Sequence, residues 1–517
     1  MQMVKSIGSL PNVVYLLSYD RQIVWDVLDR GVNRANPRFA EKIVQQEIEL
    51  PTPSKNALSA ILDQEISFLT ADSPESTRWQ YLVRDGIRRW IRSPRDVVRL
   101  ANAVKFSWPA VEGEIDPQDL LAMEGLRLFD AGAFAWIRDN RDFLFTEGRF
   151  MLVDDKERQA AADGLKRRIP EEIQSQVLRV LSVLFPQSAK WFEGREMMSG
   201  DEVAVEVTKR GGVGSEAGYD TYFGLHPSSD AIPRAVVNDL MSRLENADDV
   251  ERIFRGYLGK KNSCGELMVA KLLDELRVQY RASRPAQPTQ ALLDALFRVG
   301  EDIIGIDWDA DMFQLSPRAQ IGFLIRNMLE QWGSEQAGQH LKEAFEKATS
   351  PAFMAGIYIS RGRELGVFPS DSSERQIMSI EDFNRLGGIL LTKVEAAASD
   401  GTLAQAPFYF DIVRSWGHLA GPEAARAWLT AGITDSAEFM AKAAQGLVSY
   451  SIGTSQRRYT MREQPESEFY DLSVLVVAGR KHLQQASLTQ DQRSILTEIV
   501  RGSSELLAGR SAEAERT

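Results

Sequence analysis

Near the amino terminus, five consecutive apolar residues, Val13-Val14-Tyr15-Leu16-Leu17, stand between Asn12 and Ser18. An unbroken run of this length, with β-branched and aromatic members, reads as a strand buried on both faces of a parallel sheet. The run gives way to Ser18-Tyr19-Asp20-Arg21, so Asp20 and Arg21 fall at the carboxyl end of the expected strand, where open α/β sheets place their ligands. A buried strand needs neighbours, and parallel neighbours need crossover connections. The rest of the chain holds no comparable series of strands alternating with helices. The expected sheet is therefore a cut one.

Downstream, Ile23, Val24, Val27 and Leu28 fall at helical spacing and Gly31 closes that helix. Phe39 to Gln46 reads as a short helix or turn and Glu47 to Leu50 as a last short strand, before Pro51 and Pro53 break regular structure. Everything after Pro53 reads mainly as helix, with strand content expected mostly in the first ~55 residues and in the 200–225 region. Asn56 to Leu69 is amphipathic, and Asp72-Ser73-Pro74 punctuates it.

Six arginines (Arg84, Arg88, Arg89, Arg92, Arg95 and Arg99) lie between residues 79 and 99. A charge run of this kind fits a solvated helical face. Ser93-Pro94-Arg95-Asp96 adds a helix start: serine as cap, proline at the first helical position and aspartate three residues after the cap. Val97, Leu100, Ala101 and Val104 then form the buried stripe, which puts Arg95, Arg99 and Asn102 on another face. Asp116-Pro117-Gln118-Asp119 repeats the signature ahead of a strongly apolar helix.

Lys156 to Leu184 is helical with a break at Ile169-Pro170 and an end at Phe185-Pro186. Residues 195–233 interrupt the helices. Lys209-Arg210-Gly211-Gly212-Val213-Gly214 is glycine-rich but is followed by no Gly-Lys-Ser/Thr, so it reads as a surface loop and not a phosphate loop. Gly256 to Lys260 fails the same test. Tyr219 to Phe223 reads as packing. From Ile232 to about Arg501 helix follows helix, with starts at Ser379, Gly421-Pro422 and Asp435-Ser436, and without a fixed repeat. Asp307-Trp308-Asp309-Ala310-Asp311 lacks the glycine and the glutamate of a calcium loop. Residues 503–517 read as a disordered tail.

Composition narrows the functional classes. One cysteine, Cys264, and four scattered histidines, His226, His340, His418 and His482, offer neither a disulfide nor a metal-ligand cluster. A net charge of −12 argues against a surface that coats nucleic acid. No apolar run approaches the ~18 residues of a membrane span and no signal peptide is evident, so the expected compartment is the cytoplasm.

Three passages carry a family resemblance: residues 10–21, Phe39-Ala40-Glu41-Lys42-Ile43-Val44-Gln45 with Leu50-Pro51-Thr52-Pro53, and Ser93-Pro94-Arg95-Asp96-Val97-Val98-Arg99-Leu100-Ala101-Asn102. In order and spacing they resemble KAP-family P-loop NTPases over roughly the first 150 residues. In that family the phosphate loop and the acidic Mg²⁺-binding strand precede the strand matched here, and this sequence contains neither. The fold expected is mainly α: a truncated remnant of a P-loop α/β core (1–55), a helical lid (56–150), a helical sensor or partner-binding region (151–502) and the tail (503–517).

The resemblance implies ATP and Mg²⁺ as cofactors of the complete protein, with neither bound tightly by this chain, and often a role in defence against phage. It places Arg95 and Arg21 as catalytic candidates, with Asp20 and Arg99 assisting nucleotide binding, and leaves open a structural salt bridge from Arg95 to Asp96 or a neighbouring helix. Protein partners are expected through the helical region, with homo-oligomerisation open. The alternative is a non-catalytic helical interaction or scaffold protein. A nucleic-acid module built on the arginines lacks an aromatic stacking platform.

Overall fold

The computed structural model describes residues 12–30, 44, 46–70, 77–145, 155–194, 200–227, 229–282, 285–306, 315–369, 376–452, 457–462, 468–485 and 487–512. Gly31, residues 39–43 and 45, Asp72-Ser73-Pro74 and residues 307–311 lie outside them. Among the described residues the architecture is mainly α, with one two-stranded antiparallel sheet.

The opening strand is not formed. Residues 13–20 are irregular, and Val14 and Leu16 are 94% and 97% exposed. A strand exists through its ladder partners, and none is paired to this segment. The short strand expected at Glu47 to Leu50 is likewise irregular, with Ile48 and Leu50 exposed. Between them α1 (Arg21–Arg30) forms where the spacing places it.

From residue 54 onward the helix starts follow the sequence. Ser54 caps α2 (Lys55–Glu65) through its side chain. A π-helical stretch, Gln80–Ile87, buries Leu82, Val83, Gly86 and Ile87, and its Gly86 carbonyl accepts a hydrogen bond from Gln176 Nε2 at 2.8 Å. Ser93 and Asp96 make the reciprocal capping box of α3 (Pro94–Val111), and Asp116 caps α4 (Pro117–Phe129). The chain continues through α5 (Glu171–Leu184), α6 (Gly200–Arg210) and α7 (Glu216–Gly224). The 200–225 region is thus helical, against the expectation of strand.

One buried apolar cluster runs from Leu58 to Tyr222, so helices on both sides of residue 150 share it. A second runs from Ile232 to Ala512. It includes α8 (Met268–Arg281), α9 (Pro317–Trp332), α10 (Pro351–Glu364) and α11 (Phe410–Ala420). The strands β1 (Val448–Ile452) and β2 (Arg457–Met461) pair antiparallel, with Val448 opposite Met461. β2 packs against α13 (Gln490–Leu507), which in turn packs with α12 (Leu472–His482). The helix expected to end near Arg501 runs on to Leu507, and Ala512 beyond it is buried. A chain segment with a buried anchor is not a free tail up to that point. No described helix is long and apolar enough to cross a membrane.

Candidate functional site

Asp20, Arg21, Arg95 and Arg99 occupy two different kinds of surroundings. Asp20 Oδ1 accepts from the backbone N–H groups of Gln22 and Ile23 at 2.9 and 3.1 Å, which makes it the cap of α1. Arg21 Nε lies 3.7 Å from Glu47 Oε1, and Tyr19 donates its hydroxyl to the same oxygen at 3.0 Å. Glu47 therefore ties the irregular opening segment to the irregular segment before Pro51. An exposed pair of this kind contributes little by itself.

Arg95 stands one residue inside the capped start of α3 and is exposed, as is Arg99 one turn on. Asp96 does not pair with Arg95: its Oδ2 accepts from the backbone N–H groups of Arg92 and Ser93, each at 3.0 Å, and from the Ser93 hydroxyl. Among the described residues neither Arg95 nor Arg99 makes an ion pair, and no hydrogen bond joins either to Asp20 or Arg21. Other arginines of the same run are committed. Arg88 Nη2 holds both carboxylate oxygens of Asp63 at 2.7 Å, and Arg84 meets Asp85 at 3.4 Å. The run therefore divides into arginines that pin α2 and its neighbours and arginines left to solvent.

The next helix along, α4, is anchored at its start by buried charge. Arg78 Nη1 reaches Asp116 Oδ1 at 3.3 Å and Gln118 Oε1 at 3.2 Å, and Arg78 also pairs with Asp119, whose side chain is fully buried. From the other side Arg210 Nη2 approaches Asp119 Oδ2 at 3.5 Å, and Val213 N–H donates to that oxygen at 2.9 Å. Burial pushes the Arg78 guanidinium down from its ordinary value, and the neighbouring Arg210 pushes it the same way; Asp116 opposes both. Two cations against Asp116 and Asp119 lock the start of α4 to the end of α6.

The glycine-rich passage after Arg210 is consequently not a surface loop. Residues 211–214 are buried, Gly211 has φ +73°, and a Cβ on Gly214 would lie 2.2 Å from the Leu184 carbonyl oxygen. Above this lock, Glu124 is 2% exposed and accepts from Ser107 of α3 at 3.1 Å, from Tyr222 of α7 at 3.2 Å and from Arg127 Nε at 2.8 Å. Tyr219 and Tyr222 are both buried, as the packing reading of that passage expects. Sequence reasoning missed Arg78, Asp119 and Glu124 as a network, because the partners are far apart in the chain.

These residues fit a nucleotide only in part. Arg95 and Arg99 offer guanidinium groups suited to phosphate oxygens. Among the described residues no group of three or more histidine, cysteine or acidic side chains is placed to hold a metal ion. No step through Mg²⁺ is derived from this chain.

Residues 1–108 match the KAP family P-loop domain, which is the family that the three passages resemble. The Phage T7 exclusion protein of Escherichia coli (strain K12) is 23% identical over 288 residues, a match that covers 52% of this chain and 38% of that relative. The chain thus corresponds to well under half the length of that protein. No solved structure matches it.

Proposed function

We propose that this chain supplies the closing segment of a KAP-like NTPase core, at residues 1–55, and a helical lid at 56–150 that packs in one core with helices up to Gly224. In the complete assembly ATP binding and hydrolysis are coupled through that lid to the helical region that follows, which serves as effector or sensor. The name of the relative, Phage T7 exclusion protein, supports a role in phage defence.

The observation that carries this reading is the bared apolar segment at residues 13–17, inside the stretch that matches the P-loop domain. Val14 and Leu16 stand almost wholly in water, with Val13, Tyr15 and Leu17 exposed in part, and covering them with a sheet lowers the free energy by ~25 cal/mol for each Å² of apolar surface removed from solvent. Completing that sheet would set Asp20 and Arg21 at its carboxyl edge. Arg95 and Arg99, free of ion pairs among the described residues and on a rigidly capped helix, are available to meet charge that develops on a transferred phosphoryl group. Catalysis needs a phosphate-binding loop as well, and these 517 residues carry none.

The test is MgATP hydrolysis by the chain alone and by a fusion that places a KAP-family phosphate-loop segment ahead of residue 1. The chain alone is expected to show no turnover, and the fusion measurable turnover that Arg95→Ala lowers ~10-fold or more without loss of helical content. Turnover by the chain alone that persists through repurification would contradict the reading. A fusion that folds but neither binds nor hydrolyses MgATP would favour the non-catalytic interaction protein instead.

A further inference from the structure

The chain passes from the first buried cluster to the second between Tyr222 and Ile232. The next helix, Arg234–Ser242, begins without a cap from the side chain that precedes it. Glu114, which lies between Val111 and Ile115 of the first cluster, takes that place: Oε2 accepts from the Arg234 N–H at 2.8 Å and Oε1 from the Ala235 N–H at 3.3 Å. The Arg234 side chain reaches back in the opposite sense. Its Nη1 donates to the carbonyl oxygens of Thr208 and Lys209, at 3.1 and 2.7 Å, in the last turn of α6, and its Nε donates to the Gly113 carbonyl at 3.3 Å. An anion at a helix start and a cation at a helix end each satisfy orphan backbone groups and complement the helix dipole. Gly211 leaves the room for this, since a Cβ there would stand 2.9 Å from Arg234 Cδ and Nε.

Glu275 of α8 stands at the same joint. With Glu114 and Arg234 it lines a cavity of about 30 Å³, room for a water molecule. It is half-buried and makes no hydrogen bond or ion pair among the described residues. Four charged side chains act on it: Arg234 and Lys271 favour its carboxylate, and Asp274 and Glu114 oppose it.

The other helices packed on α8 commit their charges elsewhere. α6 gives Thr208 to the cavity wall, while its Arg210 is turned to Asp116 and Asp119. On the helix Ala247–Tyr257, Asp249 is held by Arg243 and Arg252, and Glu251 by Arg255 and Arg298. On α9, Arg318 pairs with Asp411, Arg326 with Glu330 and Glu364, and Gln320 bonds Asp274. Arg234 therefore has two sets of acceptors within reach of the joint: three carbonyl oxygens on the first cluster's side, which it holds, and the Glu275 carboxyl on its own side, which it does not.

We propose that Glu114 and Arg234 latch the two clusters together and that Glu275 releases the latch when it ionises. A neutral Glu275 leaves the guanidinium on the carbonyl oxygens of Gly113, Thr208 and Lys209. An ionised one competes for it with a charge-assisted hydrogen bond, about twice as strong as one to a neutral acceptor, and repels Glu114 across the cavity. Burial pushes the Glu275 carboxyl up to about 7, so the changeover falls near neutral pH, with the latch closed below and open above. The device belongs to this chain alone and does not depend on a bound nucleotide.

Amide hydrogen exchange of the whole chain at pH 6 and pH 8, corrected for the intrinsic rate at each pH, tests it. From pH 6 to pH 8, protection is expected to fall at least 10-fold in peptides covering residues 206–213 and 233–238. It is expected to stay unchanged over residues 292–299, which lie in a buried helix of the second cluster. In Glu275→Gln, whose side chain cannot ionise, protection at pH 8 is expected to match that of the wild type at pH 6. Glu114→Ala is expected to lower protection of 233–238 at least 10-fold already at pH 6, and it decides the matter if Glu275→Gln does not fold. Equal protection at the two pH values in the wild type would overturn the proposal. So would the same fall in Glu275→Gln, undiminished protection in Glu114→Ala, or a fall over 292–299 as large as at the joint.

Discussion

Val13 to Leu17 and Leu120 to Met123 are both unbroken apolar runs, and they end in opposite surroundings. Val14 and Leu16 stand almost wholly in water, whereas Leu120, Leu121, Ala122 and Met123 are all fully buried. The residues differ little in hydrophobicity; the partners differ. The second run rides on a helix whose own hydrogen bonds close within it, whose start Asp116 caps and whose sides meet α3 and α7. The first reads as a strand, and a strand has no hydrogen-bonded state of its own without a neighbour. The same contrast holds for charge: Arg78 and Arg210 are locked against Asp116 and Asp119, while Arg95 and Arg99 are left open. The apolar run that lies on a helix is buried, and the one that reads as a strand is bare.

The contrast is sharpest at Asp119. Asp119→Ala would leave Arg78 and Arg210 facing each other in the interior with only Asp116 between them, and should destabilise the fold by roughly 3–5 kcal/mol. Urea unfolding followed by far-UV circular dichroism measures this. A loss within about 0.5 kcal/mol, the size expected of surface substitutions, would mean that the network does not hold α4 to α6.

An intermediate case is Glu275 of α8, which sits with Arg234 and Glu114 where the two clusters meet. Burial pushes its carboxyl up to about 7, and Arg234 opposes the rise. Between the ordinary value of 4.5 and about 7 the folded chain holds a proton that the unfolded chain has released. Stability should therefore fall as pH rises through that window and level off above it. Melting temperatures measured from pH 4.5 to 8 should show this slope in the wild type, reduced in Glu275→Gln. An equal slope in both would remove Glu275 as its cause.

The smallest effect is expected in the opening segment. Val14→Ser and Leu16→Ser should each change the stability of this chain by less than ~0.5 kcal/mol, since neither residue loses a buried contact. A loss of 2 kcal/mol or more, the cost typical of truncating a core leucine, would show that the segment is covered in solution.

The sequence was most legible where the information is local. Ser93-Pro94-Arg95-Asp96 and Asp116-Pro117-Gln118-Asp119 announce helix starts that the structure forms with those residues as caps. The hairpin was also open to reading: Val448-Ser449-Tyr450-Ser451-Ile452 alternates with the period of a strand, but the surrounding helical text masked it. Residues 211–214 read as a loop because glycine marks a turn locally. Their burial is set by Asp119, 94 positions from Val213.

The most direct test of the proposed sheet is amide hydrogen exchange across residues 13–17, measured in the chain alone and in the phosphate-loop fusion. Exchange in the chain alone should be close to that of an unstructured peptide, and in the fusion it should slow by orders of magnitude as ladder hydrogen bonds form. Protection already present in the chain alone would contradict the account, as would unprotected exchange in a fusion that hydrolyses ATP.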